Sequence, residues 1–295
     1  MELLHKVSVI IPTYKRSDRL IKAIDSVLEQ TYSNIEVIVV DDNDSDSDYR
    51  LETQKKMQKY INDKRVIYIK HSHNLNGAAA RNTGLKNSNG EFICFLDDDD
   101  MFKKDKIEKQ LEYLLNNKYE AVYCGRIKGN KEIKYNLEGD LSKELLLLEF
   151  SPTSSTLMFT KKSLIEINGF DESYKRHQDF ELLLRFFEKK NKIGVVNDVL
   201  VITGINSGEN QLIGKDLEKM KLNFLNQFDS VINRLDKNDD GLKKNIYIRH
   251  YASIFISYIK DKNIMQCLRI YVKMIFKYPY SFNYYLLKRI IKNAK

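Results

Sequence analysis

Four consecutive carboxylates, Asp97 to Asp100, follow the apolar run Phe92–Leu96 in the stretch Glu-Phe-Ile-Cys-Phe-Leu-Asp-Asp-Asp-Asp. Charges this close repel one another unless water or a cation screens them. Hard divalent cations take oxygen ligands and keep positions for substrate phosphates, so Asp97, Asp98 and Asp99 read as a seat for a metal and a diphosphate, against the plainer reading of a solvated acidic turn. A second acidic pair, Asp41-Asp42, closes the run Ile35–Val40. Asp179 opens the amphipathic stretch His177–Arg185. A carboxylate in the first turn of a helix is kept ionised by free N–H groups and the helix dipole; taken alone, a helix-starting Asp with no further role is the favoured reading. Arg81, in Gly-Ala-Ala-Ala-Arg-Asn-Thr-Gly, offers a planar, permanently charged fork to an anion, unless it is simply a surface arginine.

These residues need strands and helices to position them. Val7–Pro12, Ile35–Val40, Val66–Ile69 and Phe92–Leu96 are short β-branched or aromatic runs, as expected of strands buried on both faces of a parallel sheet. Arg19–Gln30 has a helical period and lies between the first two strands, which makes a right-handed strand, helix, strand unit. Ala78 to Leu85 is a small-residue helix able to approach the sheet. Lys106–Leu115 reads as a further helix, Ala121–Cys124 as a strand, Lys128–Tyr135 as a hairpin excursion, Leu141–Phe150 as a helix and Leu157–Thr160 as a strand. Gly194–Ile202 is expected to form a last strand pair, and Thr203–Gly214 a loop able to close over a bound ligand. Open α/β sheets bind ligands beyond the carboxyl ends of their strands, where Asp41-Asp42 and the four-Asp run stand.

Taken in order, Val-Ser-Val-Ile-Ile-Pro-Thr-Tyr, Val-Val-Asp-Asp, Gly-Ala-Ala-Ala-Arg-Asn-Thr-Gly, Phe-Leu-Asp-Asp-Asp-Asp and Gln178-Asp179 resemble family 2 of the nucleotide-sugar glycosyltransferases over about residues 7 to 203. The resemblance implies a GT-A (Rossmann-like) α/β fold: a mixed, mostly parallel sheet flanked by helices. It implies inverting transfer of a sugar from a UDP-sugar donor to a hydroxyl of a glycan or lipid-linked glycan acceptor, in bacterial-type surface polysaccharide synthesis, with Mn²⁺ or Mg²⁺. Residues matching Pro12, Thr13, Tyr14 and Asp42 then surround the nucleoside base. Arg81 lies near the diphosphate, Asp99 is a metal ligand, Asp97 stands by the metal and the ribose or donor sugar, and Asp179 is the general base on the acceptor. Gln178 departs from the family's usual Glu, and Ile205-Asn206-Ser207-Gly208 lacks the His that many relatives carry there.

A nucleotidyltransferase would need a Gly-rich, Lys-containing phosphate loop after the first strand, and Thr13-Tyr14-Lys15-Arg16 has no Gly. A non-catalytic nucleotide-binding protein of the membrane surface would have no use for Asp179. Three dispersed cysteines, with no Cys-x-x-Cys, suggest reduced buried thiols and no zinc site. With 42% hydrophobic residues and only 12 Gly and 3 Pro, little of the chain should be linker. The formal charge of +8 is uneven: Gly241 to Lys295 carries twelve Lys/Arg against one acid, Asp261, and residues 1–240 are left at −3. Residues 1–214 are expected to form the transferase domain and 215–295 an all-helical appendage. In that appendage Lys215–Leu235 reads as one helix, and Lys244–Lys260, Ile264–Lys277 and Phe282–Lys292 are basic amphipathic helices. Such helices suit an anionic membrane surface or a homo-oligomer interface; the negative front domain disfavours nucleic acid. No run of 18 apolar residues occurs, so the expectation is a cytoplasmic protein, peripheral on the inner membrane face if the tail binds lipid.

Overall fold

Runs of β-branched residues become strands buried on both faces here. The computed structural model describes residues 5–204 and 212–293, with side chains described through residue 289. Two units are present, Met1–Leu141 with Ser151–Ile205, and Ser142–Phe150 with Asn206–Lys295.

In the first unit β1 (Val7–Thr13), α1 (Ser17–Leu28) and β2 (Ile35–Asp41) form the expected strand, helix, strand, and every residue of both strands but Pro12 is buried. α2 (Asp48–Met57), β3 (Val66–Lys70), α3 (Gly77–Lys86) and β4 (Phe92–Phe95) follow. Then come β5 (Met101–Phe102), α4 (Lys106–Asn116), β6 (Ala121–Lys128) and β7 (Lys131–Ile133). After α5 (Ser142–Leu146), which belongs to the second unit, the chain returns through β8 (Leu157–Thr160), α6 (Lys161–Glu166), α7 (Gln178–Glu188) and β9 (Ile193–Thr203).

The sheet order is β3-β2-β1-β4-β8-β6-β9-β5, with β7 on β6. β3, β2, β1 and β4 are mutually parallel, as are β6 and β9, whereas β8 and β5 run antiparallel to their neighbours. This is the expected mixed, mostly parallel sheet. From β1 the chain moves to β2 and β3 on one side, while β4 lies on the other, so the strand order reverses between β1 and β4. The crevice at such a switch point is where open sheets bind ligands. α3 reaches β1 closely because Ala78, Ala79 and Ala80 are small and buried and Gly84 has no side chain: a Cβ there would lie 2.3 Å from Ile10 Cγ2.

Two expectations are corrected. Gly194–Ile202 is not a strand pair but part of the single strand β9, bent where its register against β6 shifts at Cys124 to Arg126. The helix expected over Lys215–Leu235 is broken into α8 (Gly214–Gln227) and α9 (Asp229–Asp236); the break at Phe228 leaves Phe224, Phe228, Val231 and Ile232 all buried.

The second unit continues with α10 (Leu242–Lys260), α11 (Ile264–Lys277) and α12 (Pro279–Asn293). Its core joins Tyr251, Ile254 and Tyr258 of α10 to Ile270 and Met274 of α11 and Phe282 and Leu286 of α12. α11 therefore turns inward on Ile270 and Met274, not on Ile264, Leu268, Val272 and Phe276, which stay 79%, 56%, 42% and 86% exposed. Among the described residues no helix is long and apolar enough to cross a membrane.

Candidate active site

Thr13 ends β1 and the four-Asp run follows β4, so adjacent parallel strands deliver both to the switch point. The Thr13 hydroxyl donates to Asp98 Oδ2 at 2.8 Å and the Tyr14 N–H at 3.3 Å, while Arg16 Nη1 lies 3.3 Å from Asp98 Oδ1. Asp98 is thus a pin between the two strand ends. Burial pushes its carboxyl up to about 6, against the pull of Arg16. Asp100 is held by Ser155 Oγ at 2.6 Å and Gly204 N at 2.9 Å, and burial together with the charge of Asp97 raises its carboxyl well above the ordinary carboxylate value.

Asp97 and Asp99 have freer oxygens. The Asp97 side chain is 38% exposed and pairs through Oδ1 with Arg81 Nη2. Asp99 Oδ2 is enclosed yet has no hydrogen-bond donor; Arg16 Nη1 at 3.1 Å and Arg19 Nη1 at 3.5 Å face it as unaligned charges. Arg176, though exposed, has its guanidinium pushed down by the protein packed around it and by the charge of Arg16. Four acids and four arginines therefore meet beyond β1 and β4.

Arg81 joins this cluster to α7. From Nη1 it donates to Gln178 Oε1 at 2.8 Å and to Gly77 O at 3.2 Å, and its guanidinium lies 5.4 Å from the centre of the Phe170 ring. Gln178 in turn donates from Nε2 to Tyr174 O at 2.7 Å. Both halves of the amide are used, and a glutamate could not make the second bond. Asp179, next along α7, accepts from the Ser154 hydroxyl; burial raises its carboxyl, against the charge of Arg81 and the Ser154 bond. His177 precedes α7 in the left-handed region at φ 60.

The residues expected around a nucleoside base stand at the ends of β1 and β2. Pro12, Thr13 and Tyr14 lie at the end of β1, with the Tyr14 ring 38% exposed and Lys15 Nζ 4.9 Å from its centre. Asp42 is 2% exposed. Its oxygens accept from His71 Nδ1 at 2.7 Å, Asn74 Nδ2 at 2.8 Å, Leu75 N at 2.9 Å and Asn76 N at 3.0 Å. Asn76, at φ 90, then caps α3 by accepting from Ala78 N at 2.9 Å. Asp42 therefore organises the loop that aims α3 and Arg81.

Sequence reading had not singled out Arg16, Arg19, Arg176, Ser154 and Ser155. The first two carry a usable signal, being basic residues just past a strand that ends at the switch point. The serines carry none, since their partners lie 25 and 55 residues away. The stretch Ile205-Asn206-Ser207-Gly208, considered for a further metal ligand, lies outside the described residues.

Among the described residues no three His, Cys, Asp or Glu side chains converge on one cation position. The donor set still fits a hard divalent ion of the kind held by one or two carboxylates plus substrate phosphates: Asp97 is accessible, and Asp99 Oδ2 is enclosed without a donor.

A mostly parallel sheet with carboxylates and arginines gathered at its switch point defines an α/β protein with a charged ligand crevice beyond its strand ends. The chain belongs to Glycosyl transferase family 2, whose description matches residues 8–170. It is 34% identical over 241 residues to an uncharacterized glycosyltransferase of Rickettsia felis, covering 79% of this chain and 38% of that one, so the chain spans well under half the length of that relative. It is 28% identical over 223 residues to the Escherichia coli UDP-Glc:alpha-D-GlcNAc-diphosphoundecaprenol beta-1,3-glucosyltransferase WfgD, covering 73% of this chain and 82% of that one. Among solved structures, S. aureus TarS 1-349 superposes with TM-score 0.67 at 19% identity over 92% of this chain and 79% of that one, and TarS has also been solved with UDP-GlcNAc. The mannosyltransferase PcManGT of Pyrobaculum calidifontis, in complex with GDP-Man and Mn2+, superposes with TM-score 0.63 at 15% identity over 99% of this chain and 88% of that one. These likenesses establish the GT-A fold.

Proposed function

We propose that this chain is an inverting glycosyltransferase that moves a sugar from a UDP-sugar to a hydroxyl of a glycan or lipid-linked glycan in surface polysaccharide synthesis. The observation that carries the reading is the Arg81 bridge: one guanidinium touches Asp97 and Gln178, which brings the acidic run and Asp179 into one site from distant parts of the chain. Family membership and the UDP-Glc donor in the name of the E. coli relative support it.

In this reading Asp179 takes the proton of the acceptor hydroxyl, whose oxygen attacks the anomeric carbon from the face opposite the diphosphate. The bond to the nucleotide breaks and the configuration inverts. Ser154 holds Asp179 in place. The departing diphosphate gathers negative charge, and Arg81, Arg16 and Arg19 stand where they can meet it; such stabilisation is often the largest single term in catalysis. Asp99 and Asp97 would hold a divalent cation, Mn²⁺ or Mg²⁺, which supplies further positive charge against the diphosphate. Pro12, Thr13 and Tyr14 border the nucleoside base, while Asp42 shapes that pocket from behind.

The test is calorimetric titration with UDP- and GDP-sugars in the presence of Mn²⁺, followed by an assay for nucleoside diphosphate release onto glycan acceptors. Binding and turnover of a UDP-sugar are expected. Failure to bind any nucleotide-sugar sinks the proposal, and binding with no turnover on any acceptor leaves the non-catalytic alternative standing.

One observation favours a membrane surface as partner of the helical unit. From Lys262 onward the chain contains eight Lys/Arg and no acid, and α11 exposes Met265, Leu268, Val272 and Phe276 along one stripe. Apolar stripes with basic neighbours bind anionic interfaces. Such binding would hold the enzyme beside a lipid-linked acceptor.

A further inference from the structure

Within the helical unit a groove of about 1130 Å³ is walled by Tyr280, Tyr284 and Tyr285 and carries Arg249, Lys288 and Arg289. We propose that this groove seats the phosphate headgroup of an anionic membrane lipid, an inference that rests on the membrane reading above and gives it a specific site.

Among the described residues the groove is lined by one acid, Glu149, committed through Oε1 to Arg249 Nη2 at 2.5 Å. Among the described residues neither Lys288 nor Arg289 has an acidic partner; Arg289 spends one N–H on Ser253 Oγ at 2.8 Å. Arginine and lysine left unpaired beside hydroxyls make a phosphate site, with the guanidinium able to bind two oxygens at once.

Lys221 of α8 is only 4% exposed and, among the described residues, has neither a hydrogen-bond acceptor nor an acid beside it. Burial, and then the charge of Arg289, push its amine down to about 8. Two cations close together in a partly dry place, with no counter-ion among the described residues, are costly to maintain, and an anion bound at Arg289 offsets that cost.

The surroundings favour a lipid over a free anion. On α12, Tyr280, Tyr284 and Leu287 are 89%, 69% and 61% exposed at helical spacing. Tyrosine rings of this kind sit at headgroup level in bilayers, apolar body inward and hydroxyl in the polar layer. A leucine beside them has no use for a free phosphate but suits acyl chains.

The experiment is co-sedimentation of the full chain with phosphatidylcholine vesicles, with and without phosphatidylglycerol, in saturating UDP so that the transferase site is filled. Removing both groove cations, Lys288→Gln with Arg289→Gln, should weaken binding to phosphatidylglycerol vesicles about tenfold or more. The equal charge change away from the groove, Lys260→Gln with Lys262→Gln, should weaken it clearly less. Circular dichroism melts check that both variants fold. Equal losses in the two variants would overturn the groove while leaving the membrane reading intact. No phosphatidylglycerol-dependent binding by the unmodified chain would sink the membrane reading and this inference together. If inorganic phosphate binds the groove in solution, lost in the Lys288/Arg289 variant, while that variant still binds vesicles normally, the site takes a free anion and the lipid assignment is wrong.

Discussion

Arg81 Nη1 lies 2.8 Å from Gln178 Oε1, which ties α3 to the residue immediately before Asp179. The same guanidinium reaches Asp97 with its other nitrogen. A lysine has one nitrogen and cannot span both partners. Arg81→Lys should therefore weaken nucleotide-sugar binding about tenfold, within the usual range for a hydrogen bond to a charged group, and lower transfer further still. Calorimetry and initial rates check it; unchanged values for both would make Arg81 a packing residue.

Asp179→Asn should lower transfer by about 10²–10⁴ with little change in donor affinity, because a positioned base acts on the acceptor and not on the nucleotide. Burial raises the Asp179 carboxyl, so the base loses activity as pH falls through a value above the ordinary carboxylate value of about 4. The rate profile of the unmodified chain should accordingly show its acid limb shifted upward, and the Asn variant should lack that limb.

Donor binding should depend on a divalent cation. Chelation with EDTA, and Asp99→Asn, should each weaken UDP-sugar affinity measured by calorimetry, since Asp99 Oδ2 is a buried oxygen without a donor. UDP-sugar affinity that ignores both treatments would remove the metal from the site.

Burial and the neighbouring charge of Asp97 hold the Asp100 carboxyl above its ordinary value of about 3.9, so the folded state keeps a proton that the unfolded chain gives up. Its stabilising contribution is present at acid pH and is lost as pH rises through the raised folded value. Asp100→Asn keeps an oxygen for Gly204 N and a polar partner for Ser155, and should raise the melting temperature at pH 8 by the equivalent of about 1 kcal/mol or more, with little effect near pH 4. A melting temperature lowered at pH 8 would show that the charge is needed.

Gly84→Ala weighs two effects against each other. Alanine favours a helix by about 1 kcal/mol over glycine, but its Cβ would fall 2.3 Å from Ile10 Cγ2, and overpacking a core costs about 1–3 kcal/mol. The clash should win, and urea unfolding should show a net loss of stability with an unchanged slope.

Much of the front unit was legible from its chain. Period-2 and period-3.6 patterns are local, so the strands before Thr13, Asp41 and Asp97 and the helices between them could be read from their neighbours alone. The acid run, Arg81 and Asp179 stood out because their charges interrupt apolar patterns. β5 was missed because two residues carry no period, and β9 read as two strands because a bend by register shift is set by its pairing with β6.

The amino-acid order by itself determined the acidic strand ends, the small-residue face of α3 and the acid-free basic tail, since each is a property of consecutive residues. Only the tertiary structure decided what those groups touch. Packing filled the oxygens of Asp42 with four internal donors, leaving it to shape a loop, and set Ser154 against Asp179 across 25 residues of sequence. Folding likewise chose Ile270 and Met274 as the inward face of α11 and left Leu268 and Phe276 outside. α11 has more apolar residues than its neighbours can cover, and only the arrangement of α10 and α12 selects which of them are buried.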